Sequence, residues 1–188
     1  MARIKVIALP IFLLTAGLGA TCAGTQNELP QHDADARLEQ LGIELYDPPE
    51  RVGNYVGAVR IGNLVYVAGH GPRLPEGGYV IGKVGKDLGL EEAQQAARLT
   101  MIDMLSSLSA EIGTLNNVSR IVKVTGMINA VDSFGDHPQV MNGASDLLID
   151  IFGDAGKHAR SSVGVSSLPI GTPIEIDMVV EISNEKMR

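Results

Sequence analysis

Two residues in the C-terminal third stand out by type and position. The stretch His158-Ala-Arg-Ser-Ser-Val-Gly-Val-Ser-Ser-Leu-Pro-Ile-Gly-Thr-Pro-Ile-Glu-Ile-Asp177 places one arginine, Arg160, at the head of a run of small side chains. Fifteen positions later one glutamate, Glu175, interrupts an apolar alternation. A guanidinium beside small residues is open to a ligand, and its planar fork matches a carboxylate through two parallel hydrogen bonds. A partly buried carboxylate can hold a water and act as general base, with its pKa raised toward the working range. Each residue also has a plainer reading. Arg160 would be a surface partner of an acid such as Asp154, and Glu175 an exposed strand residue sharing its face with Asp177 and Glu181.

The surrounding periodicities say which elements position these residues. Tyr55–Ile61 and Asn63–Gly69 read as a hairpin turning at Gly62, with both faces of the second strand rather apolar. A Gly- and Pro-rich stretch, Pro72–Gly89, reads as a long loop that holds a short strand, Tyr79–Val84. Leu90–Ile112 has helical period: Ala93, Ala97, Met101, Met104, Leu105, Leu108 and Ile112 form one stripe, and Gly113 stops it. Val118–Ala130 alternates as a strand, with Val122, Val124 and Ile128 on one side and Ile121, Lys123, Thr125 and Met127 on the other. Pro138 opens a second helix whose buried face is Val140, Ala144, Leu147, Leu148 and Ile151. Two strands close the chain. In the last, Ile174, Ile176, Met178, Val180 and Ile182 share one face and Glu175, Asp177, Val179 and Glu181 the other. Strands in runs with separately placed helices predict an α+β domain, one mixed sheet with two helices on one face. The opposite face is half apolar and calls for cover from another subunit.

The N-terminus reads as targeting. Arg3 and Lys5 precede an apolar run, Val6–Ala20, followed by small residues, the order of a secretory signal peptide over residues 1–24. The run is too short for stable membrane insertion. The expected location is periplasmic or secreted, or cytoplasmic if the start codon is misplaced. Cys22, the single cysteine, is preceded by Gly19-Ala20-Thr21, a poor lipidation signal. Residues 25–37 read as a linker and 38–188 as the domain. Without Arg3 and Lys5 the chain holds 13 basic against 22 acidic residues, a net charge of −9. That balance, with no basic run and no tryptophan, disfavours nucleic-acid partners. His32-Asp-Ala-Asp35 lacks a spaced ligand set, so no metal is expected.

The motifs together resemble one family. The Ala159-Arg160-Ser161 unit, the small strand, Leu168-Pro169, the turn and Ile174-Glu175-Ile176 are similar to the C-terminal signature of the RidA/YjgF family of reactive-intermediate (enamine/imine) deaminases. Gly53-Asn54-Tyr55, Val65-Tyr-Val-Ala-Gly-His70 and Val140-Met141-Asn142 resemble its other anchors, and the resemblance spans Arg51 to Ile182. It implies a chorismate-mutase-like fold, a homotrimer with a central barrel, clefts between subunits, and hydrolysis of 2-imino acids or enamines to 2-keto acids and ammonia without a cofactor. By position, Arg160 would bind the substrate carboxylate and Glu175 the attacking water, and Tyr55 and Asn142 would line the cleft. Ala68, His70 and Ser162 depart from the usual hydroxyl, amide and cysteine, and with the arm Leu38–Arg51 they resemble a long-form, endoribonuclease-like subgroup. His70 is a candidate cleft residue able to move a proton near neutrality, or equally a neutral, hydrogen-bonded histidine at the end of its strand. The alternative on the same scaffold is a trimer that binds a small carboxylate without turning it over.

Overall fold

The computed structural model describes residues 33–48 and 53–183. The expected signal peptide, Cys22 and most of the expected linker lie outside the described residues. In chain order the elements are α1 (Ala34–Gln40), β1 (Ala58–Ile61), β2 (Leu64–His70), α2 (Leu90–Ile112), β3 (Val118–Asn129), α3 (His137–Phe152), β4 (Ala159–Val165) and β5 (Ile174–Ile182). The strands form one mixed sheet in the order β1-β2-β5-β3-β4. All pairs are antiparallel except β3 with β4, which run parallel because α3 is the crossover between them.

The helices form where the apolar period demands. All seven stripe residues of α2 are buried, and the Glu92 carboxylate accepts from the Gly89 N–H at 2.7 Å, closing the first turn. Val140, Ala144, Leu147, Leu148 and Ile151 bury the inner face of α3. The two helices meet at Gly143, where an added Cβ would collide with the Gln94 carbonyl of α2, so the backbones touch with no room for a side chain. Both helices cover one face of the sheet. Against them β5 presents its predicted even-numbered row, all buried, and each such aliphatic contributes about 2 kcal/mol of transfer free energy.

Three sequence expectations change. In β3, Ile121 and Val124 both face the helices while Val122 is partly exposed. Register shifts after Val118 and Ile121 break the strict alternation and bring a three-residue spacing onto one face. The strand expected at Tyr79–Val84 is only isolated bridges, Arg73 with Tyr79 and Val84 with both Leu88 and Ala130. Helix α1 crosses the boundary drawn between linker (25–37) and domain (38–188), so the last residues read as linker belong to the folded unit. Asp33 caps the helix by accepting from the Ala36 N–H, the Ala34 N–H donates to Asn116 Oδ1 at 2.7 Å, and Ala34 and Leu38 are buried. Seven residues are too few to show a period; docking, not propensity, holds such a helix.

The arm that follows is fastened by Arg73. Its guanidinium donates to the buried Asp103 carboxylate of α2 at 2.7 Å and to the Asp47 carbonyl at 2.6 Å, and sits 4.4 Å from the Tyr46 ring centroid. On the face of the sheet away from the helices, the described residues leave Val59, Tyr66 and Val163 each about half exposed. Among the described residues no helix is long and apolar enough to cross a membrane.

Candidate active site

Arg160 stands on β4, the sheet edge, in register with the buried Val124, so its side chain leaves toward the helices. There it meets the first turns of α3. Nη1 donates to Asn142 Oδ1 at 3.0 Å and to Ser145 Oγ at 2.9 Å, and Nη2 donates to the Pro138 carbonyl at 3.1 Å. Three of the five guanidinium donors are thereby used, and among the described residues Nε–H and one Nη2–H are left for a carboxylate. The plain alternative is not taken: Asp154 pairs with Lys157 at 2.6 Å, which holds its carboxyl below the usual range. His137, at the start of α3, lays its ring against Gly164, which shares the strand face of Arg160, and packs edge-on to Phe134. Behind the arginine, His158 Nε2 lies 3.1 Å from Ser145 Oγ, and Nδ1 donates to the Gly156 carbonyl at 2.6 Å. Burial pushes the pKa of His158 down; the Gly156 bond opposes this, and the charges of Arg160 and Lys123 add to it.

Glu175 leaves the other face. It opposes Met127 on β3, out of phase with the buried Ile174 and Ile176. Its carboxylate lies in a cavity of about 440 Å³ whose walls include Tyr55, Ala68, Tyr79, Ile170 and Thr172. Burial raises its pKa above 4.5, and the neighbouring Asp177 charge raises it further. The carboxylate rests on the Cα of Gly69; a Cβ there would strike Oε1. The Pro169–Gly171 turn forms the rim, with Ile170 at φ 51°, a conformation costly for a β-branched residue.

The structure thus groups the sequence candidates in two. Arg160 and Asn142 are in contact, and Tyr55 shares the cavity with Glu175, but the two pairs leave opposite faces of the sheet. His70 joins neither pair, which corrects the cleft reading and agrees with the other, a hydrogen-bonded histidine at the strand end. It is 3% exposed, donates from Nδ1 to the Ala68 carbonyl at 2.7 Å, and has Nε2 2.8 Å from Ser107 Oγ on α2. Alternation from Val65 and Val67 would point it to the open face. A register shift between Val67 and His70 turns it to the helices and gives Gly69 the place beside Glu175. The sequence reading missed Gly69, Ser145 and His158. For Ser145 a signal existed: it follows Asn142 by three on a helix, hence on the same face. Among the described residues no group of three or more His, Cys, Asp or Glu could hold a metal ion.

Similar proteins share this fold over most of their length. The family described as "YjgF/chorismate_mutase-like, putative endoribonuclease" matches residues 35–182. Protein TCP17 of Trypanosoma cruzi is 39% identical over 150 residues, 79% of this chain and 94% of that one. The 2-iminobutanoate/2-iminopropanoate deaminase of Dermatophagoides farinae is 31% identical over 135 residues, 71% of this chain and 90% of that one. A crystal structure of Atu1372 from Agrobacterium tumefaciens, described as of unknown function, is 37% identical with a TM-score of 0.74, covering 80% of this chain and 92% of that one. With a match from Asp35 to Ile182, a mixed five-stranded sheet backed by α2 and α3, and Arg160 and Glu175 in their expected strands, the chain belongs to the YjgF/RidA family.

Proposed function

We propose that the protein hydrolyses 2-imino acids, or their enamine tautomers, to 2-keto acids and ammonia in a cleft between copies of the chain. The observation that carries this reading is the pair of incomplete sites. Arg160 keeps two adjacent donors unused at one sheet edge, and Glu175 has a raised pKa in a cavity on the opposite face. One chain cannot bring them to one substrate, whereas a symmetric homotrimer packed through the half-apolar sheet face can. The similarity to a 2-iminobutanoate/2-iminopropanoate deaminase supports the reaction class.

The chemistry needs no more than these groups. Arg160 grips the substrate carboxylate through Nε–H and Nη2–H. The protonated imine carbon is electrophilic, so the protein must place one water and move protons. Glu175 takes a proton from the water as its oxygen bonds to C2, and the C=N π electrons pass to nitrogen. The neutral Glu175 then returns the proton to that nitrogen; the C–N bond breaks with its electron pair leaving on ammonia, the hydroxyl oxygen forms C=O, and its proton passes by way of Glu175 to the ammonia, so that the keto acid and ammonium leave. A carboxylate with a pKa raised toward the working range suits both transfers. One observation favours the second reading, a trimer that binds a small carboxylate without hydrolysing it: Ala68, not a hydroxyl residue, lines the cavity.

The test is decay of imino acids generated in situ by an L-amino-acid oxidase. Native protein accelerates the decay and Arg160→Ala abolishes the acceleration with the assembly intact. No acceleration across several side chains leaves the binding reading; dependence of keto-acid affinity on Arg160 would then remain.

A further inference from the structure

The acceptors that hold Arg160 are themselves held. The Gly156 carbonyl can only accept, so the His158 ring proton sits on Nδ1. In the neutral ring Nε2 is then bare, and the Ser145 hydroxyl proton goes to it across 3.1 Å. A hydroxyl has one proton. Once that proton is committed to His158, the lone pairs of Ser145 remain for Arg160 Nη1. Ser145 is 8% exposed, so water does not readily replace either partner.

We propose that His158 is a positioning residue for the Arg160 anchor, acting through Ser145 to fix the guanidinium with its two unused donors turned toward an incoming carboxylate. The inference rests on the carboxylate-anchor reading above and adds a residue to it. The groups that act on His158 are Ser145 from α3, Arg160 from β4, Lys123 from β3 and the Gly156 carbonyl, and both charges oppose a second ring proton. A second proton would turn Nε2 into a donor. Ser145 would then face two donors, and its own proton would have to leave the direction it now takes. The arginine clamp would loosen as pH falls through the native pKa of His158, which lies below 6.5.

Pyruvate, a 2-keto acid, is the probe, and its dissociation constant is measured by calorimetry from about pH 5 to about pH 8, the span in which histidine titrates. With the full chain, His158→Leu and Ser145→Ala each weaken binding about tenfold, the effect of one hydrogen bond to a charged group. The double variant binds no more weakly than Ser145→Ala alone, because both act through one chain of bonds. His158→Gln keeps an uncharged acceptor for Ser145; it binds within about threefold of native and does not weaken in acid as the native protein does. Circular dichroism checks the fold of each variant, and the Gln variant decides the matter if the Leu variant does not fold. Native-like affinity in His158→Leu, additive losses in the double variant, or an unchanged acid loss in His158→Gln would each overturn the inference. A different result, pyruvate bound equally by native protein and Arg160→Ala, would sink the anchor reading itself and His158's role with it.

Discussion

Gly69→Ala separates what the fold needs from what the chemistry needs. The glycine lies under the Glu175 carboxylate, and an added Cβ would strike Oε1. The obstacle is the far end of a flexible side chain, so the backbone of β2 and β5 need not move. The carboxylate tip must retreat by about 1 Å, and a misplacement of that size costs on the order of a hundredfold in rate. The stability change has the other sign or is near zero, because alanine in a strand gains about 0.5–1 kcal/mol over glycine. The expected outcome is a melting temperature equal to or above native and imino-acid decay slowed on the order of a hundredfold. In a Glu175→Ala background the same change does nothing further to the rate, since the group it displaces is gone. Undiminished turnover in Gly69→Ala, or a loss that persists in full without Glu175, would refute the placement of the general base.

Other outcomes follow from the same geometry. Turnover falls as pH drops toward the raised pKa of Glu175, because the protonated carboxyl cannot accept from water; a pH–rate profile of kcat shows this limb. Because the folded-state pKa is raised, ionised Glu175 opposes folding above it. Glu175→Gln therefore melts higher than native near neutrality, and the difference shrinks as pH falls toward the carboxylate range. His158 has the opposite sign: its folded-state pKa is lowered, so stability is lost as pH falls from 6.5 through the native value, a loss that thermal melts of His158→Gln do not show. Gly143→Ala forces α2 and α3 apart at the Gln94 carbonyl and costs about 1–3 kcal/mol, read in denaturant titration.

The parts of the fold legible in sequence are those where one uniform contact repeats. The α2 stripe from Ala93 to Ile112 is buried throughout, and β5 is flanked by strands on both sides, so period alone describes them. In β3 and β2 single-residue shifts change which face a side chain takes, and no local residue announces them. That is why Val122 and His70 point elsewhere than alternation says. The site was legible in its two charges because Arg160 and Glu175 interrupt runs of another character. Its supports were not. Ser145 lies fifteen residues before Arg160, and the hydroxyl matters only because a crossover brings α3 back over β4. His158 reads as one more polar residue until its two ring nitrogens find Gly156 and Ser145.

The opposite exits of Arg160 and Glu175 carry a genetic consequence. Under the proposed assembly, each cleft borrows its anchor from one chain and its base from another, so two dead proteins are not equally dead together. Arg160→Ala retains an intact Glu175, and Glu175→Gln an intact Arg160. Unfolded together in equal amounts and refolded, they assemble some clefts in which both native groups meet, about a quarter of the total for random mixing in a closed ring. Two null alleles of one gene would then complement each other in one cell. Pure stocks of either variant, or mixtures that never exchange chains, would stay silent.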